Sequence, residues 1–145
     1  MSDEEGAFIG RSFICDEELR VSTHDGEPGF LVRILLPSYR SLPLSCLERI
    51  DLSVDGVAVD RRDITFILNG YSHKLDEMFG LSKLFWFILD KADLFIKRNE
   101  PLGSGKHELE GTMVMVEPYM TVGRFALFYT AKRQLSIATE LQELS

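Results

Sequence analysis

Cysteine is scarce in this chain, and its two cysteines, Cys15 and Cys46, match no metal-binding or redox spacing and no disulfide framework. Both sit among apolar residues, so reduced, mostly buried thiols are expected. Basic residues are the minority charge: 16 Lys plus Arg stand against 23 Asp plus Glu, for a net charge of -7. That balance argues against a large nucleic-acid footprint, which needs a positive surface. The doublets Arg61–Arg62 and Lys97–Arg98 are read as solvated surface. Long hydrophobic runs are missing. The apolar stretch Leu84–Leu89 is far too short to cross a bilayer. The first residues, Met1-Ser2-Asp3-Glu4-Glu5, are acidic where a secretion signal is basic. A cytoplasmic location is the resulting expectation.

Clustered chemistry is also missing. The three histidines are His24, His73 and His107, and no His-X-His group of the kind a cupin-like metal site needs is present. Gly103-Ser104-Gly105-Lys106 lacks the full spacing and the strand–turn–helix context of a phosphate loop, so it reads as a hairpin turn. Paired carboxylates occur at Asp60 with Asp63, Asp76 with Glu77, and Glu108 with Glu110. Glu108 and Glu110 share a strand face under period two. That spacing could serve acid–base work, but in an acidic protein it more often marks a solvated face. No residue is assigned a catalytic or metal-binding role.

What is present is a core. Hydrophobic residues make up 45% of the chain, with ten Phe, four Tyr and one Trp, enough for one globular domain. Phe30–Leu36 alternates Phe30, Val32, Ile34 and Leu36 against Leu31, Arg33 and Leu35, predicting a strand covered on both sides. Pro37 ends it. Glu48–Val54, Val57–Val59, Ile64–Leu68 and Ser72–Leu75 follow as short strands, joined by the hairpin dipeptides Asp55-Gly56 and Asn69-Gly70. Leu75–Leu81 is expected to be one helical turn or a wide loop. Leu84–Leu89, Ala92–Lys97, His107–Glu117 and Gly123–Lys132 are predicted strands.

The fold expected from this pattern is all-β: an antiparallel, jelly-roll-like β-sandwich of about eight strands with at most one short helix. Residues 1–11 are expected to be a flexible N-terminus, 12–133 the sandwich domain, and 134–145 a tail that is loose or adds a short helix.

Two apolar segments exceed what plain loops need: Tyr39–Leu44 and Phe85–Phe87. Aromatic and Arg residues anchor interfaces. Tyr39, Arg40, Leu42, Pro43, Trp86 and Phe87 are therefore the candidate partner interface or active-site mouth. The competing reading makes loop 37–46 a lid folded back on the core. Two further classes remain open: a carbohydrate-binding sandwich stacking sugars on Trp86, Tyr39 or Tyr119, and an independent enzyme using Glu108, Glu110 and a histidine. A homo-oligomeric structural protein would also use an apolar patch.

The segment Leu36-Pro37-Ser38-Tyr39-Arg40-Ser41-Leu42-Pro43-Leu44-Ser45 resembles a motif of the small β subunit of bacterial C-glycoside deglycosidases. Further matches follow in order: Glu48-Arg49-Ile50 with Val54-Asp55-Gly56, then Phe66 to Gly70, Leu84 to Asp90, and Leu102 to Glu110. The resemblance covers about residues 12–120. It implies a hetero-oligomer whose larger α subunit is an isomerase-like barrel holding a divalent metal, usually manganese, and the main acid–base residues. It implies a carbon–carbon lyase reaction in which a 3-keto C-glycoside loses its aglycone. It further implies that this chain is the accessory subunit, with no cofactor of its own, packed beside the barrel to support it or shape substrate access. Tyr39 and Arg40 would then lie near the α-subunit contact or the active-site mouth.

Overall fold

Alternating apolar residues and three Asx-Gly turns dominate the local structure. The computed structural model describes the backbone of residues 12–37, 41–119 and 123–144, and their side chains except at 79, 117–119, 123–125 and 139–144. Eleven strands are present among these residues: β1 (Leu19–His24), β2 (Glu27–Leu35), β3 (Leu42–Pro43), β4 (Leu47–Val54), β5 (Val57–Ala58), β6 (Ile64–Leu68), β7 (Tyr71–Lys74), β8 (Phe85–Trp86), β9 (Lys91–Lys97), β10 (Lys106–Tyr119) and β11 (Gly123–Leu144). Short 3₁₀ turns cover Leu44–Cys46, Arg61–Asp63 and Leu75–Gly80.

Asp25, Asp55 and Asn69 each adopt positive φ and are each followed by a glycine that does too. This is the primed-turn geometry that matches strand twist, and it closes the β1–β2, β4–β5 and β6–β7 hairpins. Ile64, Phe66 and Leu68 are buried while Thr65 and Ile67 are half-buried, as period two requires.

Nine strands form one sheet in the order β5-β4-β10-β11-β1-β2-β9-β6-β7, and β3 and β8 form a separate pair. The long strand β11 joins the two wings of the large sheet. Its first part runs antiparallel to β10, from Tyr119↔Gly123 to Lys106↔Ser136. Its last part runs parallel to β1, from Leu19↔Ile137 to His24↔Leu144. Ile50, Leu52, Leu109 and Met113 of one wing and Phe30, Val32, Phe66 and Leu94 of the other belong to a single buried cluster. The sheet therefore curls into a half-barrel around one core. Phe13, fully buried, enters that core beside Gly111, where a Cβ would lie 3.1 Å from the phenyl Cζ.

The all-β expectation holds, with corrections. There are eleven described strands rather than about eight, one continuous curled sheet in place of a jelly roll's paired sheets, and one parallel pairing. Residues 134–144 are neither loose nor helical: β11 runs to Leu144, because pairing with β1 satisfies its backbone. Leu84–Leu89 is not a full strand. Only Phe85 and Trp86 pair, and residues 87–90 turn.

On the outer face, Arg20 and Arg33 both bind the Asp93 carboxylate, Arg33 through Nε at 2.9 Å. Lys91 binds Glu17 at 2.7 Å and holds its carboxyl below the usual range. This network ties β1, β2 and β9 together. Cys15 and Cys46 are both buried, as their surroundings predict.

Candidate functional site

Four hydrogen-bonded or paired contacts fix the segment 84–90 against the loop that follows β2, and two more close the segment on itself. Leu42 pairs with Trp86 and Pro43 with Phe85. The Leu44 amide donates to the Leu84 carbonyl at 2.7 Å, and the Ile88 amide donates to Ser41 Oγ at 2.8 Å. Trp86 Nε1 donates to the Asp90 carbonyl at 2.8 Å, and the Asp90 amide donates back to the Phe87 carbonyl at 2.9 Å. The indole packs edge-on against Phe66, with ring centroids 5.2 Å apart.

This clamp sorts the side chains. Leu42, Leu44, Cys46 and Trp86 point into the core, and Trp86 is only 1% exposed. Phe85 and Phe87, on either side of it, point outward and stack on each other at 6.0 Å. Phe87 is 56% exposed, and Tyr71, at the start of the edge strand β7, is 72% exposed. Tyr71, Leu84, Phe85 and Phe87 line one groove of about 530 Å³, and Leu89, two residues after Phe87 in the chain, is 91% exposed. Lys83 and His73 give the groove a polar edge. Asn69 donates to Asp90 at 3.2 Å and fixes the turn beside it.

A water-exposed cluster of five large apolar side chains has a cost in free energy that burial against another surface would remove, on the order of 1.5–3 kcal/mol for each fully covered side chain. Their framework is held by backbone bonds and a buried indole, so the surface is preorganised.

The predicted site residues divide as follows. Phe87 stands on the exposed surface. Leu42 and Trp86 are core residues that hold it in place, and Pro43 is the half-buried partner of Phe85. Tyr39 and Arg40 lie outside the described residues, as does the side chain of Tyr119. Tyr71, Leu84 and Leu89 are not among the sequence candidates, and Phe85 falls within the apolar segment Phe85–Phe87 without being one of the six. The aromatic run at 85–87 was a signal for Phe85; nothing local signals Tyr71, which arrives through the β6–β7 hairpin.

The histidines do not converge. His24 and His73 line one open polar groove of about 720 Å³ with Asp60, Asp63 and Glu77. Asp60 is held at about 2 by its hydrogen bonds from Arg62. His107 lies elsewhere, between Asp55 and the Gly103 carbonyl. Glu108 is 3.6 Å from Lys132 on the outer face of β10, where Glu110 also sits opposite Lys132 in the β11 ladder. Among the described residues no group of three or more His, Cys, Asp or Glu could hold a metal ion. Donors for the divalent metal named above are therefore not assembled by these residues.

Residues 9–119 match the family described as C-glycoside deglycosidase beta subunit. The chain belongs to the C-glycoside deglycosidase beta subunit family. It is similar to a 3'-dehydrocarminate deglycosidase beta subunit of Microbacterium sp, with 36% identity over 96 residues, 66% of this chain and 72% of that protein. It is also similar to C-glycoside deglycosidase beta subunits of Arthrobacter globiformis (35% over 68 residues, 47% of this chain and 52% of that protein) and Eubacterium cellulosolvens (33% over 92 residues, 63% of each). The chain thus spans between about half and three quarters of these relatives. The stretch matched to the C-glycoside deglycosidase beta subunit family contains the whole aromatic surface and stops before β11.

Proposed function

We propose that this chain is the accessory subunit of a heteromeric carbon–carbon lyase acting on 3-keto C-glycosides, and that it docks on a barrel-shaped α subunit through the surface formed by Tyr71, Leu84, Phe85, Phe87 and Leu89. The observation that carries the reading is that surface: an apolar face held rigid by the motif loop, in a chain whose relatives are named beta subunits. A beta subunit requires something to be subunit of, and this face gathers most of the exposed large apolar side chains among the described residues.

The chemistry explains why a second chain is needed. A ketone at the sugar C3 acidifies the C2 proton, because the carbanion delocalises onto the carbonyl oxygen. Loss of that proton lets the electron pair form a C1–C2 double bond as the C1–aglycone bond breaks. The departing carbon takes a proton. A base and an acid must stand on the reacting carbons, and the histidines and carboxylates that come together here, His24 and His73 with Asp60, Asp63 and Glu77, line a wide, open polar groove. The base, the acid and the metal are assigned to the α subunit. This chain's contribution is to cover and brace the barrel beside its mouth. A free-standing sugar-binding role has less support, since Trp86 is a core residue with no face open to a sugar.

Co-expression with the isomerase-like partner tests the reading. A stable complex on size exclusion, and release of aglycone from a 3-keto C-glycoside only when both chains are present, is the expected result. Full activity from the partner alone overturns it.

A further inference from the structure

The β1–β2 hairpin borders a second apolar feature. A pocket of about 310 Å³ opens between the β1–β2 hairpin and the loop that links β9 to β10. Val21, Pro28, Phe30, Pro101, Leu102 and Ile137 line it. Val21 stands opposite Phe30 in the β1–β2 ladder, and Leu102 and Ile137 pack on the edge of the core. Pro28 is the second residue of β2 and Leu36 follows its last, so Pro28 and the start of the motif loop lie about 25 Å apart along that strand. No residue lines both this pocket and the aromatic groove.

The pocket is preformed. The loop over it is tied down at its start, where the Arg98 amide donates to the Pro28 carbonyl at 2.9 Å and Arg98 Nε donates to the Glu100 carbonyl at 2.8 Å. It is tied at its far end by His107 Nε2 donating to the Gly103 carbonyl at 2.6 Å. A fixed wall removes the ordering cost that a flexible lid would add to binding. Its volume falls at the small end of ligand sites, which run from about 300 Å³ upward.

We infer that this pocket binds a small planar aromatic molecule bearing one hydroxyl, of the size of a naphthol. Two proline rings give it flat, rigid walls, which match a planar ring better than a flexible chain. Arg98, whose Nε is bonded to the Glu100 carbonyl, and Glu100 are the charged residues of the lining, and the rest of it offers little to a charge. The exposed Asn99 and Glu100 at the rim can meet a hydroxyl left at the mouth. The site goes beyond the subunit reading and uses none of the residues assigned to docking.

Titration of the methyl-labelled full-length chain with 2-naphthol, followed by carbon–proton correlation spectra, tests this. The expected result is saturable shifts at the methyls of Val21, Leu102 and Ile137. Val21→Phe fills the pocket from the strand side and Leu102→Trp from the loop side. Either variant that keeps the wild-type methyl dispersion should weaken binding at least about tenfold. Non-saturating shifts, shifts confined to the neighbourhood of Phe85 and Phe87, or undiminished affinity in a folded filled variant would overturn the inference. Lyase assays on the co-expressed complex are unaffected by this outcome, so the two readings fail separately.

Discussion

His107 and Asp55, 52 positions apart in the chain, meet through a 2.7 Å contact between the imidazole Nδ1 and a carboxylate oxygen. The other ring nitrogen faces the Gly103 carbonyl at 2.6 Å. Neither an ionised carboxylate nor a carbonyl can donate, so only the imidazolium satisfies both. Asp55 also accepts the Glu108 amide at 2.8 Å, which locks the β4–β5 turn onto the start of β10.

This pair gives stability a pH window. Its hydrogen bond to Asp55 raises the His107 pKa above 6.5, and the His107 bond lowers that of Asp55 below 3.8. The His107 contribution is therefore complete below its unfolded value and fades as pH rises through the raised folded value. The Asp55 contribution is complete above its unfolded value and fades as pH falls through the lowered one. Urea unfolding from pH 3 to 9 should show stability falling on both flanks. Asp55→Asn should flatten the alkaline flank. Because the imidazole is buried, His107→Ala should cost about 1–3 kcal/mol near pH 6. An unchanged alkaline flank in Asp55→Asn counts against the pairing.

Trp86 should behave as a core residue. Trp86→Ala removes the edge contact with Phe66 and the bond to the Asp90 carbonyl, and leaves a large cavity. A loss of about 3–5 kcal/mol is expected. Thermal unfolding should fall by roughly 10 °C in a chain of this size. A stability near wild type would show that the indole is not packed as described.

How much of this was legible depends on how local each signal is. Asp55-Gly56 and Asn69-Gly70 announce their turns because only a few residues tolerate positive φ. Asp25-Gly26 carries the same signal but sits in a polar stretch, so it reads as a general turn and hides the β1–β2 hairpin. The end of β11 is illegible for another reason. Glu140-Leu141-Gln142-Glu143 has helix-favouring composition, yet the partner strand β1, more than a hundred residues upstream, draws it into the sheet. Phe85-Trp86-Phe87 is the instructive case. Three consecutive aromatics offer no alternation to read, and only the clamp on Trp86 decides that its neighbours face water.

Gly29 should tolerate no side chain. A Cβ there would collide with the Ile96 carbonyl oxygen and lie 2.7 Å from Phe95 Cζ. Neither the β2–β9 ladder nor the buried phenyl can yield cheaply, so Gly29→Ala should cost at least about 1–3 kcal/mol. Gly80→Ala is the control. A Cβ at Gly80 meets nothing within 4 Å, and its effect should stay within about 0.5 kcal/mol. Equal denaturation midpoints for the two variants would contradict the close approach.

Phe87→Asp separates the docking role from the fold. The ring is 56% exposed and stacks on Phe85, so placing a carboxylate there should change stability of the isolated chain by less than about 0.5 kcal/mol. Buried against a partner, the same carboxylate would be desolvated with no counter-charge, and the ring's anchoring contacts would be gone. Loss of co-purification with the barrel protein, together with a collapse of aglycone release at equal protein levels, is the expected pair of results. Phe128→Ser supplies the comparison. Phe128 is also exposed, but it lies on the β10–β11 ribbon, beside Val114 in the ladder, and lines a different groove together with Glu48 and Arg49. Its substitution should leave the complex and its turnover intact. If Phe87→Asp co-elutes and turns over like wild type, the docking surface lies elsewhere on the chain; if Phe128→Ser is the one that dissociates, it lies on the ribbon.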